Sequence, residues 1–184
     1  MKGINMATNN KSESAKETKQ KEAELSERVA EKEKYTPKKL DPNQYVTVTN
    51  GYQGKLVYTS RKTGEQYVWE DFGAEEDMEL SELKSARNAH KKFFTENWFM
   101  FDDPAVVEYL GVQQYYKNAL KVDEFEDLFE KSNDEMKDVV SKLSKGQRKS
   151  VAYLARKQIA DGTIDSRQKI ATLENLLGVD LVEK

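Results

Sequence analysis

His90 is the only imidazole in a chain of 184 residues that contains no cysteine. A zinc site draws four ligands mostly from His and Cys, and one imidazole cannot complete it. A Ser-His-Asp triad would have to use the same histidine, yet no Gly-x-Ser-x-Gly elbow surrounds any serine. With Asn88, Lys91 and Lys92 around it, His90 is expected on a solvent face, structural or simply exposed. Glu70, Asp71, Glu75, Glu76, Asp77, Glu79 and Glu82 crowd one stretch that could attract Mg²⁺ or Ca²⁺. Their spacing lacks the Asp-x-Asp-x-Asp-Gly progression of an EF-hand, so a solvated surface or docking patch is expected instead of a metal site. Gly51, Gly54, Gly64 and Gly73 match neither a dinucleotide fingerprint nor a Walker loop. They read as turn glycines, and no cofactor is implied.

Positive charge gives the one hint of nucleic acid. No acid stands between Asp138 and Asp161, where Lys142, Lys145, Arg148, Lys149, Arg156 and Lys157 do. Lys145, Lys149 and Arg156 fall at i, i+4 and i+11, one helical stripe about Ala152 that could track phosphates. Residues 123–138 just before it hold eight acids and two lysines, so neutralisation within the module, or ordinary surface, is the expectation. Tyr45, Tyr52, Tyr58, Tyr67 and Trp69 could stack bases as single-strand binders do. Only Lys55, Arg61 and Lys62 accompany them, so core or a protein–protein face is expected, with Tyr52, Tyr58 and Tyr67 as its contact residues.

These groups sit on elements the pattern predicts. Residues 1–43 carry 10 Lys/Arg against 8 Asp/Glu, the remainder 20 against 25, which gives the net −3. The first segment has no Phe or Trp and too little apolar surface to offset roughly 1–2 kcal/mol of backbone entropy per ordered residue. It is expected to be a charged arm, disordered or ordered by a partner. Ser14 and Glu17 form a capping box for a helix through Glu31 that would fray alone. Residues 45–49, 55–60 and 66–69 alternate as strands between tight turns, with a fourth at 77–80. From Ser81 the period becomes helical, and Trp98 to Phe101 reads as a short buried strand or a packed helix end. Trp98 is expected to be a packing residue.

Asp103-Pro104 opens a helix, and the pairs Ser132/Glu135, Ser144/Gln147 and Asp165/Gln168 open three more. The helices implied are 125–130, 133–143, 145–160 and 166–177. The fold class is α+β: a small antiparallel β-meander of three to four strands packed on helices over 44–121, then a helical module over 122–184. The longest apolar run, Trp98 to Phe101, is far short of the roughly 20 residues of a membrane span, and no apolar run follows Met1. A soluble protein of intracellular type, acting without membrane contact, is expected.

The segments 46–50 (VTVTN), 54–58 (GKLVY), 63–65 (TGE), 69–73 (WEDFG), 78–83 (MELSEL), 97–99 (NWF) and 173–181 (LENLLGVDL) follow in an order that resembles small proteins encoded among the structural genes of tailed bacteriophages. The resemblance covers roughly residues 45–181 and carries over no functional residue. It implies a virion-associated or assembly role, in a particle built in the host bacterial cytoplasm. The expectation is a noncatalytic structural or assembly protein whose partners are other virion proteins, with homo-oligomers possible. The alternative is a nucleic-acid-binding accessory protein using Lys145, Lys149 and Arg156. An enzyme is not expected.

Overall fold

Val46 and Val48 alternate with Thr47 along β1 (Tyr45–Asn50), and Val48 is fully buried. The computed structural model describes residues 40–182. In it β1 is the middle strand of a three-stranded antiparallel sheet in the order β4-β1-β5. Its partner β4 (Glu75–Glu79) runs from Tyr45↔Glu79 to Thr49↔Glu75, and β5 (Phe99–Met100) pairs through Thr49↔Met100 and Asn50↔Phe99. The next two strands, β2 (Leu56–Thr59) and β3 (Gln66–Trp69), form a separate antiparallel hairpin.

The α+β class is as expected, but the strands do not pair consecutively as a meander would. Asn50 explains where the chain leaves the sheet. Its side-chain oxygen accepts from Tyr52 N at 2.8 Å, while its amide donates to Gly54 O and Asp71 O. These bonds hold the following loop and the end of the hairpin against β1's last residue, so β2 does not fold back alongside β1. Trp69 then donates its indole N–H to Val48 O at 2.8 Å, laying the hairpin's inner face on the sheet.

Helices follow in the described residues: α1 (Leu80–Ala89), α2 (Lys92–Thr95), α3 (Pro104–Leu110), α4 (Gln113–Tyr116), α5 (Val122–Glu130), α6 (Asn133–Lys142), α7 (Lys145–Ala160) and α8 (Arg167–Leu177). Asp103 caps α3, accepting from Ala105 N at 2.9 Å, with Pro104 at the first position. Ser132 and Glu135 form the reciprocal box of α6. The α8 start differs by one residue: Ser166, not Asp165, accepts from Lys169 N. α5 also begins earlier than expected, because Glu124 accepts from the Lys121 N–H at 2.7 Å and extends the first turn back to Val122.

Two apolar clusters lie on the two sides of β5. Phe99 joins Val48, Tyr58, Trp69, Leu80, Leu83, Phe94 and Leu110, whereas Met100 joins Phe125, Leu128, Met136, Val151 and Leu173. Met100, Phe72 and Leu120 go with the second cluster although they precede the expected border near residue 121, and the described residues from Leu40 onward form one compact unit. That unit starts earlier than residue 44. Leu40 is buried in the first cluster, and Pro42 O and Gln44 O accept from Ser81 N and Leu80 N. The expected helix at 14–31 lies outside the described residues.

Candidate functional site

Tyr58 shows why aromatic strands need not make a platform. It points inward on β2, is 2% exposed, and donates its hydroxyl to Glu82 Oε1 of α1 at 2.6 Å. Burial and that carboxylate push its phenol well above the ordinary range. Its expected role as an interface residue is therefore corrected: no partner can reach it without opening the core. Tyr67 is half-buried and donates to Glu65 at 3.2 Å; burial first, then this carboxylate, push it up to about 12. Tyr52 is half-buried, edge-on to Trp98 with ring centroids 5.0 Å apart. Trp69 is fully buried, while Tyr45 is 69% exposed. Trp98 packs on Tyr52 and Phe93 but is only half-buried, so it is less of a core residue than expected.

His90 is half-buried too, not on an open solvent face. The chain leaves α1 there, and the imidazole stands edge-on to Tyr58 at 6.0 Å. The carboxylates of the acidic stretch go to separate partners. Glu70 pairs with Lys55 at 2.9 Å, Asp71 accepts from Tyr153 at 2.9 Å, Asp77 from Thr47 at 2.7 Å and Glu79 from Ser81 at 2.8 Å. Among the described residues, no group of three or more His, Cys, Asp or Glu is placed to hold a metal ion.

Lys145, Lys149 and Arg156 are all exposed on α7, whose opposite side buries Gln147, Val151 and Ala155. Ala152 is buried and bounds the stripe instead of lying at its centre. Lys142 of the basic run pairs with Asp138, but the stripe itself is not neutralised by residues 123–138, which leaves ordinary surface, the other half of that expectation. Among the described residues, none of the three basic groups pairs with an acid of that stretch. The acids there have other work: Glu124 and Glu135 cap helix starts, and Asp138 pairs with Lys142 of its own helix at 2.6 Å. Arg156 instead donates to Asp180 O at 2.8 Å.

A second basic stretch was missed at the sequence level. Residues 83–95 hold Lys84, Arg87, Lys91 and Lys92 and no acid, a run visible by counting between Glu82 and Glu96. Arg87 donates to Leu110 O, closing the end of α3. Lys84 lies over the Tyr109 ring at 5.8 Å and Lys92 over the Trp98 ring at 4.9 Å. Packing brings this stretch to α7. Ser144 donates to Glu96 O at 3.3 Å, and a Cβ on Gly146 would lie 2.1 Å from that same oxygen. Gln147 clamps the link before α5, accepting from Leu120 N and donating to Leu120 O.

An apolar cleft of about 300 Å³ opens beside this seam, lined by Thr49, Met100, Phe101, Val107, Leu120 and Val122 among others. No helix among the described residues is long and apolar enough to cross a membrane. No protein-family model, curated protein or solved structure matches the chain.

Proposed function

We propose that this chain is a noncatalytic structural or assembly component of a tailed-phage particle, acting through contacts with other virion proteins or with copies of itself. One observation carries the reading: several buried or half-buried polar side chains fix one part of the fold to another. Ser150 donates to Gly51 O, Gln147 holds Leu120, Tyr116 donates to Phe99 O, and Asn50 holds Gly54 and Asp71. Groups so engaged hold a fixed shape, which a subunit needs in order to present the same faces in every copy. The outer face of the hairpin offers one such contact, with Val57 43% exposed opposite Val68. Purified particles and assembly intermediates of the encoding phage, analysed by quantitative mass spectrometry, should contain the chain at a fixed copy number. Its absence from both contradicts the proposal.

A second reading, a nucleic-acid-binding accessory protein, is favoured by one observation. Lys145 and Lys149 stand exposed with no acid paired to them among the described residues. Salt-sensitive binding to DNA or RNA, weakened by changing these residues, is its test.

A further inference from the structure

We propose that the chain binds single-stranded nucleic acid along a composite face, in which Lys92 of α2 and Lys145 and Lys149 of α7 surround the half-exposed rings of Tyr52 and Trp98; the proposal rests on the second reading above.

Two independent bridges bring the parts of this face together. The first runs from α2 to α7. Lys92 O accepts from Glu96 N, and Glu96 O meets Ser144 and the bare Cα of Gly146, next to Lys145. The second runs through the loop after β1. Gly51 N donates to Trp98 O at 2.8 Å, and Gly51 O accepts from Ser150, next to Lys149. Tyr52 follows Gly51 directly and rests on Trp98, whose ring also receives Lys92. The two acid-free stretches, residues 83–95 and 139–160, are thus joined around a pair of aromatic rings.

Lys92, Lys145 and Lys149 are exposed. Apart from the Trp98 ring beneath Lys92, these charges meet no internal partner among the described residues. The first turn of α7 carries basic residues and no acid, against the preference of a helix start for negative charge. Glu96 is the one acid in the seam. A chain of net charge −3 therefore keeps two acid-free stretches, carrying three exposed and unpaired lysines, joined at one seam. Cations alone would suit any polyanion. Tyr52 and Trp98 among them favour a strand whose bases are free to stack over a duplex or an acidic protein.

The test uses the full chain and a labelled 20-nucleotide oligothymidylate, followed by fluorescence anisotropy over a range of salt. Binding should weaken steeply with salt and quench tryptophan emission, with the quench lost in Trp98→Phe. Lys92→Gln/Lys145→Gln/Lys149→Gln should flatten the log–log salt slope by about 2, given roughly 0.7 per single-strand phosphate contact. The charge-matched Lys55→Gln/Lys131→Gln/Lys137→Gln should bind as the parent does. Lys91→Gln/Lys92→Gln should by itself weaken binding. If it does not, while Lys145→Gln/Lys149→Gln does, the composite face is overturned and the second reading survives. No binding at about 50 mM salt overturns both. Equal or tighter binding to a 20-base-pair duplex, or to polyglutamate, overturns the single-strand assignment.

Discussion

The hydroxyl of Ser150, in the long helix of the C-terminal module, donates to the carbonyl oxygen of Gly51, 99 residues earlier, at 2.7 Å. Gly51 closes the end of the central strand, so this bond ties the helical module to the middle of the sheet. Ser150 is 1% exposed, and nothing else is shown to serve the Gly51 carbonyl. Ser150→Ala should cost about 1–3 kcal/mol, the penalty of an unsatisfied buried acceptor. Urea denaturation checks it, with the midpoint falling and the slope unchanged.

Gly146→Ala should destabilise, although alanine is normally the better helix former by about 1 kcal/mol. The added Cβ would fall 2.1 Å from Glu96 O, and backbone cannot move aside as a side-chain tip can. A loss of about 3 kcal/mol is expected from forced separation of α7 and the seam. Thermal unfolding of the variant gives the sign at once.

The two tryptophans should differ. Trp69 is fully buried and bonded to Val48 O, so Trp69→Ala should cost about 3–5 kcal/mol. Trp98 is half-buried against Tyr52 and Phe93, and Trp98→Ala should cost less than half as much. Chemical denaturation of both variants side by side decides the order.

Alkaline stability should fall in a defined window. Burial and Glu65 raise the Tyr67 phenol from 10.0 to about 12, and burial with Glu82 raises Tyr58 further. The folded state therefore holds protons that the unfolded state has released. Stability is at its full value below pH 10 and declines as pH rises through 12. Denaturation midpoints between pH 9 and 12 should show that decline, and Tyr67→Phe should make it shallower.

Much of the α-helical part was legible because its starts are local chemistry. Asp103-Pro104 and the Ser132/Glu135 box need no information beyond three or four residues. Strand positions were equally visible, whereas strand partners were not. β1 joins residues 75–79 and 99–100, and β5 is two residues long, too short to show a period. Tyr58 was misplaced although Leu56 and Tyr58 share one face of β2 and Val57 and Thr59 the other. That alternation already marks Tyr58 as inward. Of the two expectations for Lys145 and Lys149, exposed surface is what the fold shows and pairing with residues 123–138 is not, because nearness in sequence does not set which helix faces meet. The basic seam itself comes from distant packing at Glu96, Gly146 and Gly51, which no local pattern contains.

The border of the folded unit gives another test. A chain starting at Leu40 should unfold at the full-length midpoint, while one starting at Gln44 should lose roughly 1.5–3 kcal/mol with the buried Leu40 and the Pro42 bond to Ser81. Equal stability of both would move the border to residue 44.

The assembly role is tested most directly by infecting with a phage in which this reading frame carries an early stop codon, then sorting the products by sedimentation and electron microscopy. The account predicts that a defined particle intermediate accumulates, and that supplying the full chain restores complete particles. Complete, infectious particles at normal yield without the chain would contradict it.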